Sequence, residues 1–249
     1  MQLKGKTALV TGASRGLGEG IALALAEQGA DIIVNYNSNA LEAEKTKYQI
    51  EKLGCRAIIV QANVGESGDV KRMFETIKRE FKTLDILVNN AGTTKSQDIF
   101  ETELEDWDYI IKTNLSSVFL CSKAAMEIMK EQKSGRIINI SSIVGERGAL
   151  FGHVHYASTK SGMFGFTKTL ARTAAPLGVT VNCVAPGIIA TELLYKTHGE
   201  EDVAMLAEGV PLGLGKIRDV GLAVAYLAGE GGRYITGSTI DVNGGMYLR

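Results

Sequence analysis

The chain has 249 residues, 45% hydrophobic and 22% charged, with a formal charge of -1; this suits a soluble globular protein with room for one large α/β domain or two small ones. So small a charge supplies no field to draw nucleic acid or an anionic membrane, and no run of about 18 apolar residues offers a membrane span. Three scattered cysteines, Cys55, Cys121 and Cys183, read as buried free thiols in a reducing cytoplasm, against a disulfide frame or zinc site.

Short apolar runs alternate along the chain with longer amphipathic stretches. The opening "MQLKGKTALVTG" has neither the apolar core nor the cleavage site of a signal peptide, and "KTALVTG" reads as the first strand. A helix follows over 15–28, then "DIIVNY" as second strand and "NALEAEKTKYQIEKL" as a polar-faced helix. "RAIIVQANV" is the third strand, with a helix near 69–81; "LDILVNNAG" is the fourth, followed by one long helical region from about 104 to 132. "GRIINISS" is the fifth strand, a helix covers roughly 155–175, and "GVTVNCVAPG" is the sixth strand. Near the end "RDVGLAVAYLAG" is helical and "GSTIDVNGG" a short strand.

Strands this continuously apolar are covered on both faces, and strands alternating with helices imply right-handed crossovers in a parallel sheet. With no linker, repeat or low-complexity tract, the whole of 1–249 reads as one doubly wound α/β domain. Only the segment at about 190–212 departs from the pattern, mixing Leu193, Leu194 and Tyr195 with polar residues; it is expected to lie over something as a lid.

"TGASRGLG" places Gly12, Gly16 and Gly18 directly after the first strand and at the start of the first helix. Glycine there tolerates positive φ and lets backbone approach a pyrophosphate, whose charge the free amides of a helix N-terminus then meet. Ser14, Arg15 and Leu17 belong to the same loop. The spacing is G-x-x-x-G-x-G, and a tight turn without ligand is the alternative. At the end of the second strand an acid would hydrogen-bond a ribose 2′-hydroxyl and favour NAD; "VNYNSN" has none at Asn35, Tyr36 or Asn37. Arg15 can pair with a 2′-phosphate while Asn37 and Ser38 donate hydrogen bonds, so NADP(H) is expected over NAD(H).

"HVHYASTK" sets Tyr156 four positions before Lys160, on one helix face. The spacing alone does not decide, because Tyr48 and Lys52 share it. Company decides. The chain resembles the short-chain dehydrogenases/reductases nearly end to end, from about 3 to 247, through "TGASRGLG", "NNAG", Asn114 in "IKTNLSSVF", "ISS", "YASTK" and "APG" in family order. Tyr48 has no such neighbours and reads as a half-exposed helix residue.

The resemblance implies a Rossmann-like fold with strand order 3-2-1-4-5-6-7 and a catalytic set of Asn114, Ser142, Tyr156 and Lys160. A tyrosine ordinarily titrates near pH 10, and the Lys160 charge is expected to lower Tyr156 while Lys160 also holds the nicotinamide ribose. Ser142, with Ser141 as the alternative, donates to the substrate oxygen, and Asn114 supports a water-linked proton path to Lys160. The resemblance further implies cofactor contacts at Asn63, Val64, Asn90, Gly92, Pro186, Gly187, Ile189 and Thr191. Many relatives carry Asp where this chain has Asn63. Ser142 and Tyr156 stand fourteen positions apart, one more than the commonest family spacing, so an extra residue is expected to bulge beside the substrate.

His153 and His155 form a His-x-His without Cys, Asp or Glu at ligand spacing, so no metal is expected. They read as pocket or interface residues. His153 is assigned to the substrate with Ser142, Tyr156 and Leu193. "VNGGMY" and "TNLSSVF" look like bacterial 3-oxoacyl-[acyl-carrier-protein] reductases, which implies NADPH reduction of a β-ketoacyl thioester in fatty acid biosynthesis by a homotetramer packed through its fourth and fifth helices. Lys133 and Arg136 suit an acidic carrier protein as partner, but Leu177 stands where a basic residue is common, and Glu192, Glu200, Glu201 and Asp202 make the lid acidic. A free sugar acid, polyol, steroid or cyclic ketone therefore stays open as substrate, with His153, His155, Tyr195 and His198 as polar contacts; a non-catalytic NADP-binding sensor is the third reading.

Overall fold

The computed structural model describes residues 1–150, 152–197 and 199–248, apart from the side chains of Leu193, Lys196, Thr197 and Glu200. The order is β1 (Thr7–Val10), α1 (Gly16–Glu27), β2 (Asp31–Tyr36), α2 (Ala40–Lys52), β3 (Ala57–Gln61), α3 (Ser67–Glu80), β4 (Ile86–Asn89), α4 (Leu104–Ile111) and, after a π-helical turn at Lys112–Ser116, α5 (Ser117–Gln132). There follow β5 (Gly135–Ile140), α6 (Ile143–Arg147), α7 (Val154–Ala174), β6 (Val179–Pro186), β7 (Ile189–Ala190), α8 (Glu192–Thr197), α9 (Glu200–Glu208), β8 (Gly215–Lys216), α10 (Ile217–Ala228) and β9 (Thr239–Val242).

The main sheet has seven parallel strands in the order β3-β2-β1-β4-β5-β6-β9. This is the expected order, its seventh strand being ninth in the chain because the two-residue strands β7 and β8 pair apart. Side chains along each strand alternate between two cores. Ala8, Val10, Ile32, Val34, Ile86, Val88, Ile138 and Ile140 enter one, against α1, α2 and α10. Leu9, Ile33, Leu87 and Ile137 enter the other, against α3, α5 and α7. Burial on both faces is why these strands read as unbroken apolar runs.

β1 pairs with both β2 and β4, so the strand order reverses there and a crevice opens beyond the carboxyl ends, where ligands bind in doubly wound sheets. The segment carrying α8 and α9 leaves and rejoins this rim through the β7–β8 pair, Ile189 against Gly215 and Ala190 against Lys216. Two departures from the sequence reading bear on the site. The single long helix expected over 104–132 is interrupted by the π-helical turn, the kind of one-residue insertion that collects at functional positions, and it holds Asn114 fully buried. The stretch between Ser142 and Tyr156 folds in part, as α6.

Beneath the crevice lies a buried polar chain. Asn89 Nδ2 donates to Ser122 Oγ at 3.0 Å and to Asn139 Oδ1 at 2.8 Å, and Asn139 Nδ2 donates to Thr167 Oγ1 at 2.9 Å. It ties β4, β5, α5 and α7 in one plane. Asn139→Ala removes the partner of the buried Thr167 hydroxyl, which costs about 1–3 kcal/mol; it is expected to lower the thermal midpoint by several degrees, read by circular dichroism. An unchanged midpoint would show that the chain contributes nothing net.

Candidate active site

Ser142 ends β5 with extended backbone and caps α6, its Oγ accepting from the Val144 amide at 3.2 Å. Tyr156 lies in the first turn of α7, and the Ser142 side chain acts on its hydroxyl in the sense that favours the phenolate. Ser141 is spent elsewhere: buried, it donates to the backbone carbonyl of Lys160 at 2.7 Å. Of the two serines, Ser142 is the one that meets the phenol. One helical turn on, Lys160 is 4% exposed; its Nζ donates to the Ile140 carbonyl at 2.8 Å and stands 5.5 Å from the Tyr156 ring centroid. Asn114 Nδ2 donates to the Thr93 carbonyl at 2.8 Å and Thr159 Oγ1 at 3.3 Å, while its Oδ1 accepts from the Thr93 amide at 2.8 Å. A Cβ on Gly92 would lie 3.3 Å from Asn114 Oδ1 and 3.7 Å from Lys160 Nζ, so Gly92 opens the floor between them. The structure brings all four residues of the expected set to one end of β5. Tyr48, by contrast, is 59% exposed on α2 with Lys52 Nζ over its ring.

Electrostatics bear on one expectation. Burial raises Tyr156 above the ordinary tyrosine value, with the Ser142 hydrogen bond acting against it, and burial pulls Lys160 down to about 8. The ammonium is directed to the Ile140 carbonyl, 5.5 Å from the Tyr156 ring centroid. A water-poor crevice penalises both charged forms. Cys183, buried near Lys160, is pushed up to about 12 by burial and stays a thiol.

The glycine loop fits a dinucleotide. Gly16 has φ +60° and nothing within 4 Å of where its Cβ would stand, while a Cβ on Gly18 would strike the Gly12 carbonyl oxygen at 2.2 Å and Asn90 Nδ2 at 2.5 Å. α1 begins without a side-chain cap, leaving its first amides for a pyrophosphate. Asn35 and Thr11, which the sequence reading did not assign, brace this loop. Asn35 Oδ1 accepts from the Gly12 amide at 3.1 Å, and Thr11 Oγ1 accepts from the Asn90 and Ala91 amides at 3.0 Å each. Asn90 turns inward, donating to the Thr11 and Gly12 carbonyls, and so supports the loop from behind. Leu17 and Ser14 are partly buried, and Arg15, Asn37 and Ser38 exposed, beyond the carboxyl ends of β1 and β2. Tyr36 is buried in the core. Asn63 Oδ1 accepts from the Gly65 amide at 3.0 Å beside buried Val64.

On the far side, a Cβ on Gly187 would lie 2.8 Å from Asn243 Cα, so that glycine is required by close packing after Pro186. Ile189 is buried, and Thr191 Oγ1 caps α8 through the Leu194 amide at 3.3 Å. His153 stands at the start of α7 with φ 59°, its Nδ1 3.0 Å from Thr94 Oγ1. The Leu193 side chain and His198 lie outside the described residues. Among the described residues no three His, Cys, Asp or Glu gather as metal ligands, and no helix is long and apolar enough to cross a membrane.

The chain is similar over its whole length to known proteins. Residues 12–247 match the family model described as enoyl-(acyl carrier protein) reductase. The chain is 44% identical over 244 residues to 3-oxoacyl-[acyl-carrier-protein] reductase FabG of Staphylococcus aureus strain Mu50, covering 98% of each chain. It is 44% identical over 249 residues to FabG of Vibrio cholerae serotype O1, covering 100% of each. A solved short-chain type dehydrogenase/reductase from Mycobacterium marinum superposes with TM-score 0.94 at 33% identity, covering 100% of this chain and 98% of that one.

Lys160 at about 8, against 10.5 for a free lysine, means that between those values the unfolded chain binds a proton the folded state has released. Stability therefore rises with pH across that window, and the buried ammonium weighs against folding below it. Lys160→Met is expected to raise the thermal midpoint at about pH 7, by the equivalent of up to about 3 kcal/mol, with the advantage shrinking towards about pH 10. Melts at the two pH values check this; a variant no more stable at neutrality would contradict it.

Proposed function

We propose that this chain, which belongs to the short-chain dehydrogenase/reductase family, reduces the 3-keto group of acyl thioesters presented by acyl carrier protein, with NADPH as reductant. The family assignment makes it an oxidoreductase of a CH–OH/C=O couple using a nicotinamide cofactor. The observation that carries the substrate reading is whole-length similarity to proteins named 3-oxoacyl-[acyl-carrier-protein] reductase. The family model's description names reduction of an enoyl carbon–carbon bond instead. The neighbouring hydroxyls of Ser142 and Tyr156 favour a keto oxygen, because two hydroxyl donors suit an atom that becomes an alkoxide.

When bound, the cofactor supplies the hydride. The residues do the rest. Ser142 donates to the substrate oxygen and holds it beside the phenol. Tyr156 gives that oxygen its proton as negative charge develops there. Lys160, charged below about 8, stabilises the phenolate left behind, and Asn114, locked to Thr93 and Thr159, fixes the floor behind it. The lid at about 190–212 covers the substrate.

NADPH is preferred through Arg15, which is exposed and has no side-chain partner among the described residues, together with Asn37 and Ser38. Leu104, Tyr109 and Phe119, 68%, 52% and 49% exposed on α4 and α5, which together make up the expected fourth helix, support a homotetramer packed through that stretch and α7, the expected fifth. Three buried free thiols suit the reducing cytoplasm. The acidic lid residues Glu192, Glu201 and Asp202 keep a free ketone as the second reading.

Acetoacetyl thioester is expected to be reduced with kcat/KM at least about tenfold higher for NADPH than for NADH, and Arg15→Ala to narrow that ratio by about tenfold, about 1.4 kcal/mol. A panel of crotonyl thioester, sugars, polyols and steroids tests the substrate. A higher kcat/KM for any of them, or a preference for NADH, would overturn the corresponding part of the reading.

A further inference from the structure

His155, immediately before the catalytic tyrosine, is fully buried, yet nothing above uses it. Its ring sits in a chain of hydrogen bonds whose directions can be deduced from one end. Asp106 on α4, paired with Lys95, is a carboxylate and only accepts. Gln97 therefore turns its amide nitrogen to Asp106 Oδ2, at 2.7 Å, and that nitrogen also reaches the Glu101 carbonyl at 3.3 Å. This leaves Gln97 Oε1 facing His155 Nε2 at 3.4 Å, as acceptor, so Nε2 carries the proton. His155 Nδ1 is then a bare acceptor, and the Tyr156 amide donates to it at 2.8 Å. That amide is one of the first-turn donors of α7, whose N-terminus has no other side-chain cap.

The same loop grips the start of α7 twice more. The His153 amide donates to the Gln97 carbonyl at 2.7 Å, and a Cβ on Gly152 would strike that carbonyl oxygen at 2.5 Å. The titratable and charged groups acting on the ring are His153 before α7, Asp106 on α4 and Lys95 in the loop after β4. Asp106 alone favours the charged ring; burial, His153 and Lys95 oppose it, and the net direction is below the ordinary imidazole value.

We propose that neutral His155 is a positioning residue for Tyr156, clamping the first turn of α7 to the loop after β4 through Gln97, and that protonation of the ring releases the clamp. An imidazolium has no acceptor for the Tyr156 amide. The dependence has one sign. The ring's pKa is lowered by folding, so the clamp is intact at and above the unfolded value near 6.5 and is lost only as pH falls through the lower folded value. Reduction then fails on acidification although Tyr156 and Lys160 keep their protons there.

The inference rests on Tyr156 acting as the proton donor, and its test separates the two. Nitrogen-15 histidine NMR of the wild-type protein is expected to show His155 as the Nε2–H tautomer at about pH 7.5; an Nδ1–H tautomer would overturn the proposal without reference to activity. In turnover with NADPH and acetoacetyl-CoA, wild-type kcat is expected to fall on the acid side while the KM for NADPH holds. His155→Asn, whose amide oxygen accepts from the same backbone donor and does not titrate, is expected to keep kcat within about threefold at neutrality and to lose the acid limb. His155→Ala is expected to lower kcat at least about tenfold at every pH. An identical acid limb in His155→Asn, or full kcat in His155→Ala, would sink the proposal. If none of the three proteins turns over this thioester, the substrate reading fails and the tautomer alone decides the role of His155.

Discussion

Lys160 is held at both ends, and the site depends on that. Its backbone carbonyl accepts from Ser141 at 2.7 Å and its ammonium donates to the Ile140 carbonyl at 2.8 Å. The partners are Ile140, the last residue of β5, and Ser141, the next one, so these bonds fix α7 against that strand end in distance and in rotation. A third, from Ser161 Oγ to the Gly145 carbonyl at 2.6 Å, adds α6. With α7 fixed, Tyr156 one turn earlier is held beside Ser142. A helix position and a strand end far apart in sequence thus become one chemical unit.

Burial has a consequence for stability that runs against function. The crevice raises Tyr156 and lowers Lys160 for the same reason, the poor solvation of charge. In that environment a phenol is a reluctant acid until negative charge develops on the atom beside it. The proton then moves between groups already in contact, and little solvent reorganises. The buried lysine that makes this possible weighs against folding at neutrality. The polar chain through Asn89, Asn139 and Thr167 contributes the opposing rigidity beneath it.

Much of this was legible in the sequence because it follows from periodicity and from residue types with few alternative uses. Unbroken apolar strands announced a sheet covered on both faces, and the glycines of "TGASRGLG" marked the first strand–helix turn. The strand order and the gathering of Asn114, Ser142, Tyr156 and Lys160 came from ordered resemblance. Long-range polar contacts were not legible. Asn35 was noticed only for not being an acid, whereas its work is to hold the Gly12 amide. Asn90, expected to line the cofactor, turns inward, and Tyr36 enters the core. The π-helical turn has no signature in a helix-period pattern, since one inserted residue leaves both flanking helices regular. The lowered phenol was argued from the resemblance and the Lys160 charge; burial, which spacing does not report, acts in the opposite direction. His155 was read with His153 as a pair, while the fold sends one ring to Thr94 and the other to Gln97.

Tyr156 as the proton donor is tested most directly by Tyr156→Phe, which keeps the ring and removes one oxygen. NADPH binding, followed by cofactor fluorescence, and turnover of acetoacetyl thioester are measured on the same preparation. Binding within about threefold of wild type with turnover reduced at least about 10³-fold is the predicted result. Turnover within about tenfold of wild type would show that the proton comes from elsewhere.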